Sequence, residues 1–184
     1  MRKILLIGLS MLFLVTGCSY EETMLNTPTK KVEMFFSNYQ TLNEDVMDDL
    51  DKVVDEDERF NTKQREAYRE LMKKHYQAIQ YDVKDESING DEAEVRAEIE
   101  VIDYSKILKD TDHYLQDHRD EFLDEKGQYD ETKYMDYRLE QLKDAKETVK
   151  YDMTFHLTKK DKEWQMDPLT TEQEQKIHGM YDYE

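Results

Sequence analysis

The chain is poor in the residues that staple or punctuate a fold. Its 184 residues hold one cysteine, two prolines and five glycines. A lone cysteine excludes an internal disulfide. The five glycines are too scattered to make a phosphate-cradling loop. No GxSxG or SxxK motif occurs, so the commonest serine-nucleophile signatures are missing. Basic residues are scarce as well, 26 lysines and arginines against 44 aspartates and glutamates, for a formal charge of −18. Such a surface repels phosphate backbones and anionic headgroups, which argues against nucleic acid as a partner. What the chain does hold is aromatic: thirteen tyrosines, six phenylalanines and one tryptophan. Together with clear hydrophobic periodicity they argue for a folded, strongly acidic domain, although high charge alone would suggest disorder.

The cysteine stands near the start, in "LFLVTGCSY", Leu12 to Tyr20. Arg2 and Lys3 precede an uncharged run from Ile4 to Val15. As a helix that run would span roughly 18 Å, short of the ~30 Å hydrocarbon core. A basic start, a short apolar run and then small residues form the pattern of a secretory signal. Here the small residues, Val15-Thr16-Gly17, lead straight into Cys18. This resembles the lipobox of bacterial lipoproteins, with valine where leucine is commoner. The resemblance implies cleavage before Cys18, a diacylglyceryl group on its sulfur, and the lipid bilayer as partner. Two or more acyl chains anchor lastingly where one does so only marginally. A signal with an incidental cysteine is the plainer alternative; a released signal peptide with a role of its own is another.

Cleavage after residue 17 removes Arg2 and Lys3, leaving 24 basic against 44 acidic residues, a charge of −20. The remaining 167 residues suffice for one domain with its own core. Residues 18–26 read as a lipidated tether and 27–184 as a single domain.

Thr27-Pro28 marks a helix start, with threonine as N-cap and proline in the first turn. Val32, Phe35, Phe36, Tyr39, Leu42, Val46, Leu50 and Val53 follow at three- and four-residue steps as one apolar stripe. "TLNE", Thr41 to Glu44, reads as a capping box and a break. Asn61-Thr62 opens a second helix whose apolar face runs from Tyr68 through Leu71, Met72, His75 and Tyr76 to Ile79. The period then changes to two. Tyr81 and Val83 begin a strand, Asn89-Gly90 makes a tight turn, and Ala93, Val95, Ala97, Ile99 and Val101 share one face of the returning strand. Residues 104–149 regain helical spacing as a charged insert, with Gly127 ending its first helix and the pair covering a sheet edge or face. Tyr151, Met153, Phe155 and Leu157 alternate in a third strand. Trp164 and Met166 point inward from a fourth. Thr171 to Glu174 reads as a capping box for a short last helix that Gly179 ends.

This order predicts an α+β domain, with N-terminal helices packed on a curved antiparallel sheet and a helical insert between hairpins. The order and the ending "EWQMDPLT…KIHGMY" resemble NTF2-like or cystatin-like domains. The chain from Lys31 to Tyr181 is similar to lipoproteins of low-GC Gram-positive bacteria through "KVEMFFSNYQTL", "VIDYSK", "DEFLDEKGQYD" and "KIHGMY". The resemblance implies a fold and an address, and no catalytic residues or cofactor.

Chemistry is thin. His75 and His118 lie in apolar stripes, where packing is the simpler role. His113 and His118 are five apart and do not share a helix face, as a metal pair should. His156 falls on the outward side of its strand, and His178 stands in a last helical turn favoured by the dipole. "DEDERFNT" and "DEKGQYDE" lack the spacing of an EF-hand loop. No metal site is expected. Inward strand positions carry no acid or base except Asp103, which continues the inward parity at the strand's end. It is the candidate for a general base, against the simpler role of capping the next helix. Ala93 and Ala97 could leave a hollow over the sheet, lined by Tyr81, Tyr151, Met153, Phe155 and Trp164, unless phenylalanines of the first helix fill it.

The expected function is therefore a membrane-anchored, extracytoplasmic binding module for a protein or small ligand. The alternatives are an NTF2-like enzyme using Asp103 as base, or a binding lipoprotein associated with a transporter.

Overall fold

A computed structural model describes residues 25–183. Cys18, the signal segment and most of the tether lie outside the described residues. The elements are α1 Pro28–Gln40, α2 Glu44–Glu56, α3 Thr62–Ala78, β1 Gln80–Asn89, β2 Glu92–Ile102, α4 Ser105–Asp117, a 3-10 turn at Arg119–Phe122, α5 Glu131–Lys143, β3 Thr148–Lys160, β4 Glu163–Met166 and α6 Thr171–Ile177. The fold is α+β. The strands form an antiparallel sheet in the order β1-β2-β3-β4, with the helical insert between β2 and β3.

Strand parity decides the core. Ala97 pairs with Val83 and Met153, Val95 with Phe155, and Ile99 with Tyr81 and Tyr151. Side chains directly opposite one another lie on the same face, so these residues make one apolar surface. The other face carries the charged alternates, including a Lys150–Glu98 pair at 3.0 Å and the Arg96–Asp85 pair. These exposed pairs contribute only a few tenths of a kcal/mol each, up to ~1. Helix α1 crosses the apolar face. Phe36 stacks on Tyr81 at 4.7 Å between ring centroids and meets Phe155 edge-on at 5.5 Å. Phe36 and Val32 are fully buried. Each fully buried apolar side chain of this size stabilises the fold by roughly 1.5–3 kcal/mol.

The helix starts follow their caps. Thr27 accepts from Lys30 N–H, with Pro28 in the first turn. Asn61 and Gln64 form a reciprocal capping box. The last tether residue proves part of the domain. Asn26 donates to Lys162 O at 2.8 Å and accepts from Trp164 N–H at 2.9 Å, fastening the chain to the β3–β4 hairpin.

Several sequence expectations are corrected. The break after α1 is real, but the cap of α2 is Asn43 and Thr41 bonds back to Ser37 O. Leu42 takes a positive φ of 54°, so the phase of the stripe restarts. As a result Val54 is fully buried and Val53 is exposed. The last capping box is Thr170 with Gln173. Helix α4 ends at Asp117, and Gly127 instead serves the turn from Asp124 to Gln128. The first hairpin loop is Gly90-Asp91, because Asn89 already pairs with Glu92. A bulge between Val83 and Asp85 shifts β1 by one residue and sets Glu86 opposite inward-facing Val95. Glu86 there accepts from both the N–H and the hydroxyl of Thr29, each at 2.8 Å, in the first turn of α1.

The insert packs on α3 chiefly through α5, and its Leu108 and Leu142 join the core cluster of the sheet. Gln64 is buried, and its amide donates to Thr132 O and to Asp136, both at 2.9 Å, tying the start of α3 to α5. Phe60, Phe122, Tyr134, Met135 and Leu139 form a second apolar cluster there. At the other end, α6 closes in a Schellman motif: Met180 N–H reaches Gln175 O and Gly179 N–H reaches Lys176 O. Gly179 has φ +67°, and a Cβ on it would lie 2.0 Å from Ile102 O. Its carbonyl accepts from the N–H groups of Tyr104 and Ser105. Only glycine allows the chain end to dock so closely on the β2–α4 junction.

Candidate functional site

The residues expected to line a hollow over the sheet are packed as core. Phe35 and Phe36 of α1 lie over Phe155 at 5.8 and 5.5 Å, in the space left by Ala93 and Ala97. Met153, Phe155 and Trp164 are buried. Tyr81 is covered by Phe36, and Tyr151 by Tyr181 at 5.6 Å with Lys176 over its ring. The physical reason is ring size: small residues on β2 receive large ones from the helix, and the layer closes.

Asp103 stands at the start of α4. One carboxylate oxygen accepts from Ser105 N–H at 3.0 Å and from the Ser105 hydroxyl at 2.6 Å. That is a local i to i+2 contact one residue ahead of the N-cap, which is Tyr104 and carries no side-chain cap bond, so Asp103 does not make the cap expected of it.

The histidines divide. His75 Nε2–H donates to Ile177 O at 2.7 Å, and its Nδ1 has no partner among the described residues. Burial pushes its pKa down to about 4. His178 lies beside the Tyr76 hydroxyl at 3.3 Å, and burial, reinforced by His75, lowers it also to about 4. Its place in a last helical turn had suggested a charge favoured by the dipole; desolvation overrides that. His118 stacks on Tyr114 at 4.0 Å on the surface, and His156 faces Glu94 at 3.6 Å.

An open apolar cavity lies elsewhere, at the seam between the two clusters. It measures about 240 Å³ and is bounded by the end of α2 and the following loop, by α3, α4 and α5, and by the chain after α6. Its apolar wall includes Phe60, Tyr68, Met135, Leu139 and Met180, with exposed Val53 at the rim. Two guanidinium groups border it. Arg59 grips Asp57 with two hydrogen bonds, at 2.9 and 2.6 Å, and holds that carboxyl below the usual range. Arg138 has a side chain only 11% exposed. It lies over the Tyr183 ring at 5.2 Å and donates to the Tyr183 hydroxyl at 2.5 Å. Asp112 is 3.7 Å from the Arg138 guanidinium and already accepts from the hydroxyls of Tyr134 and Tyr183. Burial first, and then the bond to Asp112, pushes the Tyr134 hydroxyl up to about 12.

Periodicity missed this site. Its signals were an arginine, Arg138, among the apolar positions of α5, and a tyrosine, Tyr183, three residues beyond Met180. A larger trough of about 1110 Å³ runs along the outside of α3, but it is lined mainly by charged side chains. Several of these pair with one another or with near neighbours, as Arg69 does with Glu66 and Asp51.

No family model matches the chain, and no curated protein matches it. Among solved structures it is similar to a "putative lipoprotein (ycdA)" of Bacillus subtilis, at 17% identity and a TM-score of 0.48. The match covers 76% of this chain and 47% of that one, so this chain spans less than half of that protein's length. At that score the likeness is a partial overlap of folds and carries nothing further. The finer likeness to NTF2-like or cystatin-like domains gains no support from it. Among the described residues no helix is long and apolar enough to cross a membrane.

Proposed function

We propose that the protein is a lipoprotein held on the outer face of the cytoplasmic membrane, where its acidic domain acts as a binding module. The observation that carries this reading is Cys18, the sole cysteine, set directly after a basic start, a twelve-residue uncharged run and two small residues. Acyl chains on that sulfur bind a bilayer at ~0.8 kcal/mol per buried methylene. The surface charge works against any electrostatic attachment to anionic lipid, so the lipid must hold the protein. Asn26, fastened to the β3–β4 hairpin, leaves only residues 19–25 between the acylated residue and the domain. Seven residues reach at most ~25 Å when extended, which keeps the domain close to the membrane. The binding half of the reading rests on the cavity between α3, α5 and the chain end. It is apolar with a few convergent polar groups, as ligand sites usually are.

The enzymatic alternative, with Asp103 as base, has no specific observation in its favour, since that carboxylate is engaged by Ser105. The transporter-associated alternative, which would need two lobes and a hinge, has no specific observation in its favour either.

Fractionation tests the anchor. The unaltered chain is expected in the membrane fraction with labelled palmitate incorporated, and Cys18→Ser in the soluble fraction without label. Membrane association of both forms, with label in neither, would sink the reading.

A further inference from the structure

The charges around the cavity are unlike those of the rest of the molecule. Acidic residues outnumber basic ones 44 to 26 over the chain. Among the described residues bordering the cavity the balance reverses: Arg59 and Arg138 against Asp57. Asp57 is engaged by Arg59 through both its oxygens. Arg138 differs from Arg59. Its guanidinium is nearly buried, 5.2 Å from the centre of the Tyr183 ring, and 3.7 Å from a carboxylate that two tyrosine hydroxyls already occupy. A guanidinium carries five N–H donors in a fixed fork. Among the described residues Arg138 directs one hydrogen bond to a protein group, the one to Tyr183. A buried cation with donors to spare, at the mouth of an apolar cavity, suits an anion on an apolar body.

We infer that the cavity between α3, α5 and the chain end binds a small amphipathic anion, a carboxylate carried on an apolar body, with the acid at Arg138 and the body against Phe60, Met135 and Leu139. The inference deepens the binding-module reading and rests on it. The cavity volume of about 240 Å³ limits the guest. A medium-chain carboxylate is a fitting guest for an apolar wall of this extent with one cation at its mouth. Tyr183 helps to shape the mouth: its hydroxyl accepts from Arg138 and donates to Asp112 at 2.7 Å, which orients the fork. Asp182 holds the same segment to α4 through Lys109 at 3.1 Å.

The experiment uses the full chain carrying Cys18→Ser, labelled at its methionine methyl groups, with octanoate and octan-1-ol as probes. Met135 and Met180 report from the cavity wall. Octanoate is expected to shift both methyls saturably and to bind at least about tenfold more tightly than octanol, as one charge-assisted hydrogen bond implies. Arg138→Gln is expected to abolish that preference while leaving octanol binding in place, and Arg138→Lys to restore part of it. The octanoate-to-octanol ratio on the unsubstituted cavity keeps the test decisive should Arg138→Gln fail to fold. Equal binding of the two probes, or a preference for octanol, overturns the anion assignment and leaves the binding-module reading standing. If neither probe moves the two methyls at millimolar concentration, the inference and the use of this cavity both fall, whereas the anchor stands or falls by fractionation alone.

Discussion

The sheet-facing side of α1 and the seam between α3 and the insert use the same kinds of residue, yet one closes and the other stays open. Over the sheet, Phe35 and Phe36 meet a flat surface whose small and large positions are set by strand pairing. Ala97 lies between Val83 and Met153, and Ala93 pairs with Leu157. The rings join the same core cluster as the alanines and meet Phe155 and Tyr81. At the seam three helices meet by their ridges, through Tyr68, Leu108, Met135 and Leu139, and the aromatic contacts run between neighbours such as Phe60 and Tyr68 at 5.3 Å. Helix ridges fit grooves only where side chains match, so a seam between separately built helices leaves gaps that a pleated surface does not. A cavity can therefore open at the seam at little cost to the core.

Large-to-small substitutions should separate the two regions. Phe36→Ala is expected to lower unfolding free energy by about 3–5 kcal/mol in urea titrations, because it empties a closed layer. Met135→Ala, at a wall already bordering free space, should cost at most about 2 kcal/mol, the low end for such changes. Equal losses would erase the distinction drawn between the layers.

Acid should strike the contact between α3 and α6 through His75 and His178. His75 and His178 have folded-state pKa values depressed from 6.5 to about 4. Between those values the unfolded chain binds more protons than the folded one. The stabilisation from keeping the rings neutral is therefore full above about pH 6.5, is lost as pH falls from 6.5 towards 4, and amounts to roughly 3 kcal/mol for fully buried His75, with less from His178, which is partly exposed and shifted in part by His75 itself. Thermal melts should fall steeply across that window, and His75→Gln should flatten the fall. A melting temperature unchanged between neutral pH and pH 5 would contradict the burial of these rings.

The smallest contrast lies within one helix. Val54→Ala should cost about 2 kcal/mol, whereas Val53→Ala should stay within ~0.5 kcal/mol, since only the first removes buried methyl groups. Reversed values in the same unfolding titration would restore the continuous stripe through Val53.

Much of the framework was readable from local pattern. The caps at Thr27 and Asn61 and the inward parity from Tyr81 to Leu157 stand in the structure as the spacing predicts. The phase of α2 was not readable, because it depends on the backbone of Leu42, and a positive φ at a leucine has no sequence signature. The inward turn of Glu86 was hidden likewise by a one-residue bulge. Gly127 looked like a helix end because glycine commonly ends helices, but the insert spends it in a loop turn after a short 3-10 segment.

Residue order alone specifies here whatever has a short range: helix or strand period, caps, hairpin positions, net charge and the single thiol. Each follows from contacts within a few positions along the chain. The docking of the insert on α3, the burial of His75 against Ile177 and the cavity with Arg138 follow from folding in three dimensions. Tyr183 and Asp112 are 71 positions apart, and His75 and Ile177 are 102 apart. Such partners meet through packing of whole elements, and burial, which sets their charge state, exists only once those elements have closed.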